Sequence, residues 1–228
     1  MILKKWEQLP DNMRIQQVEA YYTILRKKRA GLIAKRLFDI VVSLLMILLL
    51  SPLMLVIAIW IKCDSKGPVM FRQVRITTGG KEFRIFKFRT MVTDAEKLGT
   101  QVTVGQDPRI TGSGRFLRKL RLDEVPQLFN VLAGDMSFVG TRPEVPRYVE
   151  QYTPEMWATL LLPAGITSEA SIRYKDEDVL LNGAEDVDRV YVEQVLPEKM
   201  KYNLNYLREF SFWKDIAIMF ETVIAVLR

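Results

Sequence analysis

From Ile40 to Ile61 the chain runs 22 residues without a charge: Ile-Val-Val-Ser-Leu-Leu-Met-Ile-Leu-Leu-Leu-Ser-Pro-Leu-Met-Leu-Val-Ile-Ala-Ile-Trp-Ile. A helix needs about 20 predominantly apolar residues to cross the hydrocarbon of a bilayer. A buried soluble helix is a poorer account of so uniform a run, so the segment is expected inside a membrane. Its flanks bear on how it sits there. Arg26 to Arg29, Lys35 and Arg36 precede it, and Lys62, Lys66, Arg72 and Arg75 follow it. A simple span would strand one of these basic flanks on the side that the positive-inside rule disfavours. Ser51-Pro52 falls at the middle of the run, where proline deletes a backbone hydrogen bond, crowds the preceding turn and bends the helix. A re-entrant helix over residues 35–62, entering and leaving on one face, reconciles two basic ends with a central break. The alternative is a kinked span whose downstream flank is merely basic.

Averaged over its whole length, that run included, the chain has the composition of a folded protein. Of its 228 residues, 49% are hydrophobic and 26% charged, enough for one domain with a sizeable core beside the membrane segment. The net charge of +6 suits anionic lipid headgroups, nucleotides or nucleic acid. Histidine is absent from the sequence, which removes imidazole bases, His-ligated zinc and Ser-His triads together. The single cysteine, Cys63, offers no internal disulfide and no metal cluster. Acid–base or nucleophilic work therefore falls to Asp, Glu, Lys, Tyr, Ser or Thr.

Residues 1–34 are too charged at their start for a signal-peptide core and suit an amphipathic helix lying on a membrane or on the protein itself. Residues 63–200 carry the soluble part. Pro68 to Arg75 alternates apolar and polar residues, Gly79-Gly80 marks a turn, and Glu82 to Met91 alternates again, a β-hairpin pattern. On its second strand Lys87 and Arg89 share a face with Phe83 and Ile85, which makes them edge residues or anion ligands. Met91 to Leu98 suits a helix, Asp107 to Thr111 a turn, Gly134 to Gly140 a short strand, Val145 to Tyr152 a helical turn and Leu162 to Ser168 a loop. Asp176 to Asp188 is acidic and reads as a solvated surface helix, although Asp186 and Asp188 have the spacing of a metal-ligand pair. Residues 201–228 end in the apolar stretch Phe212 to Leu227, which Lys214, Asp215 and Glu221 interrupt. It suits an interfacial or packing helix rather than a span.

The stretch from Arg115 to Gly134 carries the chemistry. Asp123 and Glu124 stand between a basic run (Arg115, Arg118, Lys119, Arg121) and an apolar helical pattern of Val125, Leu128, Phe129 and Leu132. Asp123 fits an N-cap, Glu124 the first helical position, Pro126 the first turn and Gly134 the helix end. A helix N-terminus favours ionised carboxylates and also receives phosphate. Negative groups ringed by positive ones suit a reaction on phosphate. Taken alone, the acid pair is more simply a helix cap and the cations a solvated face.

Several motifs in one order change that balance. They are the basic-flanked helix with its Ser-Pro, Lys87-Phe-Arg-Thr-Met91, Asp107-Pro-Arg-Ile-Thr111, Leu122-Asp-Glu-Val-Pro-Gln-Leu-Phe-Asn-Val-Leu132 and Gly134-Asp-Met-Ser-Phe-Val-Gly-Thr-Arg-Pro143. Over roughly residues 35 to 228 this resembles the bacterial sugar transferases, the small monotopic phosphoglycosyl transferases. The resemblance implies a mainly helical α+β fold: a re-entrant membrane helix hairpin, a β-hairpin and a helical cytosolic catalytic domain with interfacial amphipathic helices. It implies transfer of a sugar-1-phosphate from a UDP-sugar to polyprenyl (undecaprenyl) phosphate, releasing UMP, at the cytoplasmic face of the bacterial inner membrane.

By the same resemblance Asp123 is the nucleophile that forms a phosphosugar–enzyme intermediate, and Glu124 helps to deprotonate or position the acceptor. A Mg²⁺ at Asp123 would bridge carboxylate and diphosphate. Lys87, Arg89, Arg118 and Arg142 are the candidates for cradling the diphosphate, with surface or headgroup cations as the plain alternative. Membrane lipids are implied as partners, nucleic acid is not, and a homodimer is left open. Thr141-Arg142-Pro143 stands where the family often has Pro-Arg-Pro, and Ile166-Thr-Ser168 where Ile-Thr-Gly is frequent, which leaves the sugar and base preference open. Two other readings compete: a membrane-anchored metal-dependent (pyro)phosphatase, and a non-enzymatic membrane-tethered module.

Overall fold

A computed structural model of the chain describes residues 3–95, 107–174, 181 and 186–227. The first helix, α1 (Gln16–Lys27), turns Val18, Tyr21 and Leu25 to one side, and all three are buried. They join Leu9 and Met13 in the main core, which also holds Leu161, Met200 and Leu207. The Tyr21 hydroxyl donates to Glu155 at 2.6 Å. Of the two surfaces open to the N-terminal region, it therefore takes the protein's own.

Helix α2 (Arg29–Asp64) contains the apolar run and is the one described helix long and apolar enough to cross a membrane. Its buried positions fall in two groups, Leu32 to Ser43 near one end and Ile57 with Ile61 near the other. Leu48, Leu49, Leu55 and Val56 between them are 61–78% exposed, an apolar surface that water would not tolerate uncovered. Both ends nevertheless rest on the rest of the chain. Near the first, Arg36 donates to the carbonyls of Val131 and Leu132 at 2.7 and 2.9 Å. At the second, Asp64 accepts from the Ser113 amide and hydroxyl at 3.0 and 2.8 Å.

The expected break at Ser51-Pro52 is not a gap in the helix, which continues through Pro52. Proline leaves the carbonyl four residues back, that of Leu48, without its N–H partner. The Ser51 hydroxyl donates to that carbonyl at 2.9 Å, so the freed acceptor is satisfied inside the apolar segment.

The predicted hairpin forms. Strands β1 (Met70–Thr77) and β2 (Lys81–Phe88) pair antiparallel with Thr77 opposite Lys81, and Gly79 and Gly80 take the positive φ of the turn. Residues 91–94 are not helical: Met91 bridges to Ile110 and a turn follows at 93–94, a 3₁₀ turn opens at Ala95, and the remainder of that expected helix lies outside the described residues. Helix α3 (Gly112–Lys119) is capped by Thr111, whose side chain accepts from Gly114 N. It lies so close to the exit of β2 that a Cβ on Gly114 would stand 2.0 Å from the Thr90 carbonyl oxygen.

After a 3₁₀ turn at Leu122–Glu124 comes α4 (Gln127–Ala133), ended by Gly134 in the left-handed region. Strand β3 (Met136–Val139) pairs in parallel with β4 (Ala164–Thr167), inside what the sequence suggests is a loop. Alanine and glycine open that strand, so it carries no alternation to read. A Cβ on Gly165 would meet Gly140 N at 2.2 Å, and only glycine permits the approach.

The short helices α5 (Pro146–Val149), α6 (Glu169–Arg173) and α7 (Val187–Val190) lead through a π-helical turn into α8 (Leu196–Glu209) and then α9 (Phe212–Leu227). Most of the acidic 176–188 stretch lies outside the described residues. Asp186 caps α7, Asp188 bonds Tyr148 and Arg147, and no metal-ligating acidic cluster occurs among the described residues. The base of α2 is fixed by a buried polar knot. Lys35 donates to Asp215 at 2.6 Å and to the Val139 carbonyl at 2.7 Å, and Tyr206 donates to the other oxygen of Asp215 at 2.7 Å.

Candidate active site

Asp123 and Glu124 sit in the 3₁₀ turn, ahead of α4 rather than at its cap, because Pro126 takes the position before the first helical residue. Arg121, in the left-handed region at φ 56°, turns the chain sharply out of α3 and sets the pair against the hairpin. The fit to β2 is made by Asn130. Its side chain accepts from Phe86 N and donates to the Arg84 carbonyl, both at 2.9 Å, so α4 is sewn to the strand by an amide acting as a peptide would. Phe86 is followed by Lys87, and this seam holds Lys87 against Glu124.

Glu124 is doubly paired. Its Oε1 accepts from Lys87 Nζ at 2.8 Å and from an Arg142 terminal nitrogen at 3.0 Å. Burial opposes ionisation there, but the Arg142 and Lys87 charges outweigh it and hold the carboxyl far below its ordinary range. Asp123 behaves the other way. Burial pushes its carboxyl up, Lys87 pulls it down, the Glu124 charge adds to the push, and Arg118 opposes it. Burial draws the Lys87 ammonium down, against the pull of Glu124. One acid is thus held as a permanent anion and its neighbour is kept basic, a separation of roles that burial and charge produce without histidine.

The pair also stands between two cavities. The first, about 520 Å³, is walled by Arg72, Arg75, Lys87, Arg109, Arg118 and Asp123, with Phe71 and Phe88 among its apolar surfaces. The second, about 530 Å³, is lined by Lys119, Arg121, Glu124 and Arg142 together with apolar side chains of α2, α4, β3, β4, α6 and α9. Asp123 and Lys87 line the first cavity, Glu124 and Arg142 the second, and the Lys87–Glu124–Arg142 ion pairs join the two linings.

Residues 30–228 match the family model described as bacterial sugar transferase. The chain belongs to that family. A UDP-N-acetylgalactosamine-undecaprenyl-phosphate N-acetylgalactosaminephosphotransferase of Aeromonas hydrophila is 40% identical over 197 residues, 85% of this chain and 43% of that protein. A UDP-glucose:undecaprenyl-phosphate glucose-1-phosphate transferase of Escherichia coli is 41% identical over 194 residues, 83% of this chain and 39% of its own length. An undecaprenyl-phosphate galactose phosphotransferase of Salmonella typhimurium is 36% identical over 220 residues, 88% of this chain and 42% of that protein. The chain thus spans about two fifths of the length of these curated relatives.

Of the residues expected at a site in this family, Asp123, Glu124, Lys87, Arg118 and Arg142 come together. Arg89 is largely spoken for. Its terminal nitrogens donate to the carbonyls of Ser65 and Lys66 and to the Ser65 hydroxyl at 2.7–2.9 Å, which ties the end of α2 to β2. It also lines the first cavity, and its buried Nε has no hydrogen-bond partner among the described residues. Ser168, which stands where the family often has glycine, is buried and caps α6. Sequence reasoning missed Asn130 and Arg75, which donates to the Pro143 carbonyl at 3.0 Å and so steadies the Arg142 segment. Arg75 carried a signal in its basic type on a strand. Asn130 carried none, being one of two polar residues, with Gln127, on a mostly apolar helix.

Proposed function

We propose that this chain transfers a sugar-1-phosphate from a UDP-sugar to polyprenyl (undecaprenyl) phosphate, releasing UMP, through a covalent phosphosugar intermediate on Asp123. The observation that carries the reading is the buried Asp123, facing a cavity lined by Lys87 and Arg118, beside a Glu124 already neutralised by Lys87 and Arg142. The names of the relatives support the same donor and acceptor classes. In the first half-reaction an Asp123 carboxylate oxygen attacks the β-phosphorus. The bond from that phosphorus to the oxygen bridging the UMP phosphate breaks, and UMP leaves with the electron pair. In the second, a phosphate oxygen of the acceptor dianion attacks the same phosphorus and the Asp123 carboxylate is regenerated. Charge balances in both steps without a proton being moved.

That balance bears on Glu124. A carboxyl held so far below its ordinary range is a poor base, so its role is to position Lys87 and Arg142 rather than to deprotonate the acceptor. Lys87, Arg118 and Arg142 bind and orient phosphate oxygens, Arg by its fork and Lys as a point charge. Asp123, which lines the cationic first cavity, fits Mg²⁺: one or two carboxylates suffice when phosphate oxygens and water complete the shell. When bound, magnesium would neutralise charge on the diphosphate.

The membrane arrangement proposed is re-entrant, with the exposed middle of α2 dipping into the bilayer and both basic ends on the cytoplasmic face of the inner membrane. Its support is that both ends of α2 are tied to the soluble part, Arg36 to α4 and Asp64 to α3, while Leu48 to Val56 have no buried position. Helix α9 is proposed to lie at the interface, since Trp213, Phe220 and Ile224 are 52–75% exposed. The step would open a surface-glycan or glycoconjugate pathway. A phosphatase using water as acceptor is disfavoured by the apolar second cavity, which serves a lipid better than water.

The test uses radiolabelled UDP-sugars with and without polyprenyl phosphate. Label is expected to pass into lipid only with acceptor present, and Asp123→Asn to abolish UMP release while membrane association persists. UMP release that survives Asp123→Asn would overturn the covalent mechanism.

A further inference from the structure

We infer that donor and acceptor use separate doors: the acceptor's isoprenoid chain lies in the second cavity, against α9, with its phosphate meeting the cations beside Glu124. This rests on the proposed transferase reading and adds to it the path of the lipid. The two acids face different cavities, Asp123 only the first and Glu124 only the second. The first cavity is lined by arginines and offers a highly charged nucleotide the greater complementarity. The second is two-faced. Lys119, Arg121 and Arg142 make one side cationic, while Met46, Leu50, Ile172, Met219 and Val223 make the rest apolar.

Two features select a prenyl phosphate over a soluble anion. Met46 and Leu50 belong to the uncharged middle run of α2, so the apolar wall is continuous with the segment proposed to enter the bilayer. A lipid can slide along it from hydrocarbon to the cationic side without crossing water. Two methionines, Met46 and Met219, are among the walls, and methionine adapts to the irregular outline of a methyl-branched chain. The second feature is the charge order: cations gather where the chain ends and Glu124 is already paired with two of them, so a dianionic phosphate meets a net positive site. Helix α9 therefore has two tasks along one face, anchoring α2 through Asp215 and, one and two turns further on, walling the acceptor channel through Met219 and Thr222.

The test fills the channel. Val223→Trp and Ile172→Trp, in the full chain reconstituted into phosphatidylcholine vesicles, are compared with wild type. First, UMP released from UDP-sugar without acceptor is measured as a burst, whose amplitude counts folded, donor-competent sites. Then KM is measured for polyprenyl phosphate and for the UDP-sugar. The variants are expected to keep the burst amplitude and to raise the acceptor KM at least about tenfold, the loss of part of one isoprene contact, with the donor KM within about twofold. A C55 prenyl phosphate bearing a diazirine should label residues 212–227, and excess dioleoyl phosphatidate should not prevent it. Equal shifts in both KM values, an unchanged acceptor KM with an intact burst, or labelling abolished by phosphatidate would overturn the separate lipid channel. Absence of a burst in wild type with every UDP-sugar tried would instead overturn the transferase reading on which it stands.

Discussion

Replacing Glu124 with glutamine removes the charge that holds the two halves of the site together. In the wild type, Lys87 and Arg142 both donate to Oε1, at 2.8 and 3.0 Å, with side-chain exposures of 12% for Glu124, 20% for Lys87 and 35% for Arg142. Deleting one partner of a buried ion pair costs about 3–5 kcal/mol, chiefly because the other is left charged and desolvated. Here Arg142 recovers some hydration and the glutamine oxygen still accepts a bond, so the expected loss is about 2–3 kcal/mol. For a chain of this size that lowers Tm by about 5–10 °C.

The pH dependence gives the sharper test. The folded Glu124 carboxyl lies below its ordinary 4.5, so its stabilisation is fully present above that value and is lost as pH falls below it toward the depressed folded value. Thermal unfolding of wild type and Glu124→Gln in the same detergent, at about pH 7 and about pH 3, should show a gap that narrows on acidification. A gap under about 0.5 kcal/mol at neutral pH, or one that stays constant across the range, would refute the double pairing.

Other expectations concern how the site is held. Gly114→Ala puts a methyl 2.0 Å from the Thr90 carbonyl and should sharply lower folded yield, whereas Gly31→Ala meets only the Phe210 ring at 3.4 Å and should be neutral or stabilising by up to about 1 kcal/mol. Expression and Tm of the two side by side decide it, and a tolerated Gly114→Ala would mean α3 can move off β2. Asp215→Leu should cost about 3–5 kcal/mol, while Lys35→Met with Asp215→Leu should recover most of it. A double variant as unstable as the sum of the singles would mean that the two side chains are not coupled. Leu25→Ala should cost about 2–5 kcal/mol by unfolding, as for any fully buried leucine. A loss under 1 kcal/mol, on the same order-of-magnitude scale, would return α1 to the status of a detachable extension.

What the sequence made legible follows from period and punctuation. The β-hairpin announced itself through alternation around Gly79-Gly80, α4 ended where Gly134 stood, and the apolar run required its own helix. Strand β4 was hidden because its Ala164-Gly165 pair is chosen for close approach to Gly140, not for side-chain alternation. The acid pair was visible as adjacent carboxylates among cations, but its division of labour was not. Which acid is locked and which is kept basic depends on Lys87, 37 residues away in sequence, and on Arg142, 18 residues away. Arg89 shows the same limit: it was read on the second strand, which ends one residue earlier at Phe88, and its partners, the backbone carbonyls just past α2, have no signature in residue type.

The most direct measurement is mass spectrometry of the protein quenched during turnover with a UDP-sugar and no acceptor. A sugar phosphate added to the peptide holding residue 123, and discharged when polyprenyl phosphate is supplied, is the predicted result. Product formation with no adduct there, or with the adduct on another residue, would contradict the assignment of the nucleophile.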